Sequence, residues 1–228
     1  NGQGAPLAPI YHKLIIEDLN LTLPSCVLNI GGISNVTYWD GEDLIGFDTG
    51  PGNSLIDDLM SKFFKKNFDK NGKIGFKGRI LNVLIDKLLE DDFFKLKYPK
   101  SLDRQYFNHY LKNFTEEYKP NDLISTFSEF TALSISNSLK LLPRYPHNII
   151  IMGGGCKNLY IIERLKKHLK CKIVEEKKSK YHPDFIESQL MGLLAVRSIN
   201  NLPYTFPLTT GVSKPLSGGE LCIPKENH

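Results

Sequence analysis

Three stretches of this sequence set glycines beside polar residues in patterns suited to holding an anion: Asn29-Ile30-Gly31-Gly32-Ile33-Ser34-Asn35, Asp48-Thr49-Gly50-Pro51-Gly52-Asn53 and Gly153-Gly154-Gly155-Cys156-Lys157-Asn158. Without a Cβ, main-chain N–H groups can come close to a phosphate. In the first stretch Gly31 and Gly32 can present amides from a hairpin turn that Asn35 follows. Turning the hairpin through positive φ is the alternative use of the same glycines. In the second, Asp48 at a strand end could face a metal-bound phosphate, while Gly50, Gly52 and Asn53 lead into a helix start, whose positive end favours anions. The alternative is a plain connection, with Asn53 as helix cap and Asp48 forming a local turn. In the third, a nucleotide could lie flat against the bare backbone of Gly153, Gly154 and Gly155, with Asn158 closing the stretch. A purely structural glycine loop is the alternative there. Neither the dinucleotide GxGxxG spacing nor a P-loop ending in Gly-Lys-Ser/Thr is present.

Other groups offer less chemistry on their own. Glu129 lies in an apolar-periodic segment with Phe127, Phe130 and Leu133. Charged groups seldom enter a core unpaired, so an exposed place on a helix face is the plain expectation. His12, His109, His147, His168, His182 and His228 form no metal-ligand or Ser/His/Asp pattern and read as loop or surface residues. Cys26, Cys156, Cys171 and Cys222 have no CxxC spacing, which fits reduced thiols in a cytoplasmic protein.

The elements that must position these stretches follow from periodicity. Cys26 to Ile30, Ile33 to Trp39 and Leu44 to Phe47 read as three strands of an antiparallel meander, turned at Gly31-Gly32 and Asp40-Gly41. A helix through Ile56, Leu59, Met60 and Phe63 follows. Helical spacing recurs at Ile80 to Leu89, Arg104 to Phe114 and Asp122 to Leu142. His147 to Met152 then reads as a buried strand, Leu159 to Leu169 as a helix, Cys171 to Val174 as a strand and Pro183 to Ile199 as a last helix. From Leu202 onward prolines and glycines predict an irregular tail. The order β-β-β-α, helices, β-α-β-α describes an α/β fold of the ribonuclease-H-like kind, a mixed five-stranded sheet flanked by helices, which by itself names no reaction.

Composition narrows the class. With 228 residues the chain is long enough for one sizeable domain, and no apolar run reaches the ~18 residues of a membrane span. Its 29 basic and 25 acidic residues give +4, in short clusters such as Lys177-Lys178-Ser179-Lys180 rather than one basic arm, so nucleic-acid binding has no support. Asn1-Gly2-Gln3-Gly4-Ala5-Pro6 does not read as a signal segment and suggests a polypeptide that continued upstream.

Taken together, the glycine stretches resemble the second lobe of the actin, Hsp70 and hexokinase superfamily. The finer matches resemble the anhydro-N-acetylmuramic acid kinase family over essentially the whole chain. Beside the three stretches they include Asn1 to Pro9, Pro99-Lys100-Ser101, Arg104 with Phe107-Asn108, Ser128-Glu129-Phe130-Thr131-Ala132, Pro183-Asp184-Phe185-Ile186-Glu187 and Thr209-Thr210-Gly211-Val212. The resemblance implies an ATP-dependent enzyme of cell-wall recycling, which opens the anhydro bridge of anhydro-N-acetylmuramic acid with water and phosphorylates O6. It implies ATP and Mg²⁺ as cofactors, Glu129 as a Mg²⁺ partner in place of the exposed position, and a homodimer. The family's catalytic Asp, just before its GGQGAPL motif, and the GTSxDGxD loop of its N-terminal lobe are not in this sequence. Asn1 stands at that motif's first Gly position. Residues 1–228 are therefore expected to be the nucleotide-binding C-terminal lobe, completed by an N-terminal lobe that is missing or separately encoded, or else a noncatalytic nucleotide-binding or interaction module. Leu102-Asp103 replaces the family's Thr-Gly, which could alter sugar-side contacts, and Ser188 stands for its usual Ala.

Overall fold

The computed structural model describes residues 2, 4–174, 181 and 185–222. Asn1, Gln3, Pro183, Asp184, the Lys177 to Lys180 cluster, His182, Pro224 and His228 lie outside the described residues. One five-stranded sheet has the order β3-β2-β1-β4-β5. β1 (Ser25–Ile30), β2 (Ile33–Trp39) and β3 (Leu44–Pro51) form the expected antiparallel meander, and β4 (Asn148–Met152) and β5 (Lys172–Val174) extend it in parallel from β1.

Side-chain alternation splits the interior in two. In β1 and β4, Leu28, Ile30, Ile149 and Ile151 point into one core, and Val27, Ile150 and Met152 into the other. The larger core is covered by α2 (Ser54–Leu59, running into the wider turn Met60–Phe64), α3 (Asn82–Leu89), α4 (Asn108–Phe114), α5 (Pro120–Leu139) and α6 (Leu159–His168). The smaller holds residues of α1 (Pro9–Asp18) and α7 (Ile186–Ile199).

Three expectations need correction. No helix was expected at α1, yet Pro9 starts one, and Ile10, Tyr11, Ile15 and Ile16 bury one face of it. The strand expected to end at Phe47 continues to Pro51. A bulge at Thr49, opposite Ser34 and Asn35, lets Gly50 pair with Ser34, so Asp48 to Pro51 belong to the sheet rather than to a βα loop. The tail contains a short helix, α8 (Pro207–Thr210), whose buried Thr209 packs beside Gly46 of β3, a glycine that makes room for Pro9. Among the described residues no helix is long and apolar enough to cross a membrane. None of the four cysteines forms a disulfide.

Candidate functional site

The first two glycine stretches meet where β1 turns into β2 and β3 hands over to α2. The Gly32 carbonyl accepts from Gly52 N (2.8 Å) and Ser54 N (3.2 Å), and the Gly31 carbonyl accepts from Asn53 N (2.8 Å). Asn53 does not cap α2 with its side chain, as expected. Its Nδ2 instead donates to the carbonyls of Ile30 and Gly31, each at 3.2 Å, and ties the hairpin to the helix start. A methyl group at Gly52 would strike the Gly31 carbonyl, which is backbone and cannot swing aside. Ser54 Oγ, buried at the same junction, has no hydrogen-bond partner.

The third stretch closes on this junction from β4. Gly153 takes φ 81° against the Asn29 side chain and the Ile30 carbonyl, a conformation an L side chain resists. Gly155 presses on Ile30 and would bring a Cβ to 3.2 Å from Asn53 Nδ2. Between them Gly154 has no atom within 4 Å of the place a Cβ would occupy. Asn158 Oδ1 accepts from Tyr160 N (3.1 Å) and Ile161 N (3.2 Å), capping α6. Thus Gly31, Gly32, Gly52, Asn53, Gly153, Gly154, Gly155 and Asn158 gather within one neighbourhood.

Beside them opens a cleft of about 470 Å³, within the range of small-ligand sites. Gly154, Lys157 and Asn158 form one wall, Asn53 and Asp57 of α2 another, and the segment Phe68 to Asn71 a third. The two carboxylates of the cleft differ. Asp69 is buried, and its oxygens accept from Ile74 N and Gly75 N, both at 2.9 Å. The carboxylate of Asp57 accepts no hydrogen bond from any described residue. Burial pushes its pKa up to about 6, with the Arg104 charge acting the other way. Sequence reasoning passed over Asp57; its place four residues after Asn53, on the same helical face, was the available signal.

A second hollow of about 390 Å³ lies against the same Gly153-Gly154 turn, lined by His12, Asn29 and Glu187 among others. His12 is 2% exposed, not a surface residue as expected. Its Nδ1 lies 2.8 Å from Thr37 Oγ1, and burial pulls its pKa down to about 4, so the ring is neutral at pH 7.

Of the expected site residues only Asn53, Gly154 and Asn158 line the cleft itself; Gly31, Gly32, Gly52, Gly153 and Gly155 sit at the junction beside it, and Asn35, Asp48 and Gly50 stand further out on β2 and β3. Asn35 pairs with Asp48 across β2 and β3, and Asp48 Oδ2 accepts from Leu102 N at 2.7 Å. Burial raises the Asp48 pKa against that hydrogen bond and the Lys100 charge. Gly50 faces Ser134 of α5. Here Asp48 and Gly50 anchor neighbouring chain.

For Glu129 the expected exposure is corrected. It is 5% exposed, not on an open helix face. Both of its oxygens are engaged: Oε2 by Arg164 Nε (2.5 Å), and Oε1 by Arg164 Nη2 and His168 Nε2 (each 2.8 Å). Burial raises its carboxyl pKa, but the Arg164 and His168 hydrogen bonds outweigh this and hold it below its usual value. As placed, it locks α5 to α6 and offers no free oxygen to a metal. Among the described residues no group of three His, Cys, Asp or Glu could hold a metal ion. The described residues of the cleft therefore bring no cage of carboxylates and imidazoles for a metal ion.

Comparison with known proteins places the sequence in a family. The family model for anhydro-N-acetylmuramic acid kinase matches residues 1–224. An anhydro-N-acetylmuramic acid kinase of Rhodopseudomonas palustris is 40% identical over 225 residues, covering 98% of this chain and 60% of that protein. One of Brucella anthropi is 35% identical over 221 residues, covering 96% of this chain and 59% of that one. Among solved structures, the activator of 2-hydroxyisocaproyl-CoA dehydratase from Clostridium difficile with bound ADPNP aligns at TM-score 0.48 and 15% identity, over 77% of this chain and 60% of that one. The chain spans about 60% of the length of these curated relatives. With the family model matching 224 of 228 residues, the chain belongs to the anhydro-N-acetylmuramic acid kinase family.

Proposed function

We propose that residues 1–228 are the C-terminal, nucleotide-binding lobe of a two-lobe kinase that uses ATP to convert anhydro-N-acetylmuramic acid to N-acetylmuramic acid 6-phosphate. The observation that carries the reading is the convergence of three glycine stretches beside a cleft whose Gly154 wall is bare. In this reading the nucleoside lies along Gly154 and Asn158, and the Gly31-Gly32 turn, next to the start of α2, offers the Gly32 amide to the phosphates, the Gly31 amide being held by the Ile33 carbonyl. Fixed donors of this kind stabilise charge at a transferring phosphoryl group without reorganising during the reaction. Mg²⁺ bound to ATP would neutralise further phosphate charge. In this reading the carboxylate that activates the attacking water stands just upstream of residue 1 and the GTSxDGxD loop on the N-terminal lobe, so both come from sequence outside residues 1–228.

Calorimetric titration of the chain with Mg-ATP, followed by an ADP-release assay on anhydro-N-acetylmuramic acid, tests this. We expect ATP binding, no turnover by the chain alone, and turnover when a lobe carrying GTSxDGxD is added. Absence of ATP binding contradicts the reading. Binding without turnover in the mixture favours a noncatalytic nucleotide-binding module, and turnover by the chain alone overturns the division between lobes.

A further inference from the structure

Of the two carboxylates lining the 470 Å³ cleft, one is committed and one is not. Asp69 holds its own loop through the amides of Ile74 and Gly75. Asp57 is half-buried, yet no described residue donates a hydrogen bond to its carboxylate. A partly desolvated carboxylate without donors is unfavourable in the empty protein, so its partner is to be sought in a ligand.

The surroundings decide what that partner is. Lys70 and Lys157 line the same cleft, and Arg104 acts on Asp57 by charge, so a cationic ligand is disfavoured there. A bound metal ion needs several oxygen ligands, and with Asp69 committed Asp57 is the one carboxylate the cleft can offer. Neutral hydroxyls remain. Asp57 stands four residues beyond Asn53, about 6 Å further along the helix from the glycine junction. A nucleotide whose phosphates meet that junction would turn its sugar toward this point. Two neighbouring hydroxyls match the two oxygens of one carboxylate. Resting on the nucleotide reading above, we propose that Asp57 reads the ribose, accepting hydrogen bonds from its 2′ and 3′ hydroxyls and favouring ribonucleotides over deoxyribonucleotides.

The test compares ATP, 2′-deoxy-ATP and 3′-deoxy-ATP by calorimetry on the full chain and on Asp57→Asn, with Mg²⁺ and with EDTA. A hydrogen bond to a charged acceptor makes each deoxynucleotide bind about tenfold more weakly than ATP to the wild type. Asp57→Asn should bring the three to one affinity in both buffers. Equal affinities in the wild type, or discrimination that persists in the variant, overturn the inference and leave the nucleotide reading standing. A loss that is equal for all three nucleotides and confined to Mg²⁺ buffer assigns the carboxylate to the metal and also overturns it. If no nucleotide binds the wild type, both readings fall. Asp57→Ser carries the comparison should Asp57→Asn not fold, and the wild-type ranking decides without any variant.

Discussion

The helix α5 packs against both α6 and α2, and an acid at the α5–α6 contact is treated in the opposite way to an acid of α2. Toward α6, Glu129 is closed off by Arg164 and His168, with its side chain 7% exposed. On α2, Asp57 lines a cleft, and no described residue donates a hydrogen bond to its carboxylate. The paired acid fastens helices; the unpaired one is held ready for something that binds. The glycines divide in the same way, with Gly52, Gly153 and Gly155 making room for the protein's own atoms and Gly154 for none.

The sharpest way to break this contrast is Glu129→Ala. It leaves Arg164 largely buried without its partner, and removing one member of a buried ion pair costs about 3–5 kcal/mol. Urea unfolding should show that loss while ATP affinity of the folded protein stays unchanged. A Mg²⁺-specific loss of ATP affinity would return Glu129 to the metal.

Acid should reveal a third treatment, that of His12, which is buried and kept neutral rather than paired. Its folded pKa of about 4 lies below the 6.5 of the free side chain, so the unfolded chain takes up the proton first as pH falls. The resulting stability is complete above pH 6.5 and is lost progressively between 6.5 and 4, amounting to about 3 kcal/mol. Unfolding midpoints across that window should fall in the wild type and flatten in His12→Gln.

Asp57 has the reverse sign. Its folded pKa of about 6 lies above the ordinary 3.8, so the folded protein binds the proton more tightly, and stability falls as pH rises from about 4 to 6. At pH 7 Asp57→Asn should therefore stabilise the free chain, by about 1 kcal/mol after allowing for solvent screening, while weakening ATP binding. A destabilised variant would show that the carboxylate has a partner within the fold. The smallest effect on stability is expected for Gly154→Ala, within about 0.5 kcal/mol of wild type by thermal melting, although its methyl group narrows the cleft and should lower ATP affinity.

Much of this arrangement was legible from local pattern. Short apolar runs bounded by turn residues marked all five strands, and glycine marked the three stretches that meet. What glycine does not reveal is which atoms it makes room for: Gly52 admits the Gly31 carbonyl, a contact that exists only once two connections fold together. Pairing was hidden by distance along the chain, since Arg164 and His168 lie 35 and 39 residues beyond Glu129. Helix α1 was missed because the segment was read through its prolines and glycines, although Pro9 occupies a position where helices accept it. The end of β3 was missed because Gly50 and Pro51 usually stop a strand, whereas a bulge at Thr49 of β3 keeps the pairing going here. Asp57 resembled any helix-face acid until the cleft beside it was seen.

Two-dimensional amide NMR of the isotope-labelled chain, titrated with ADP, tests the central claim most directly. Shifts concentrated at the amides of Gly32, Asn53, Gly154 and Asn158 are the predicted result. Saturating ADP that leaves these amides unmoved, or that moves only residues away from the glycine junction, would contradict the account.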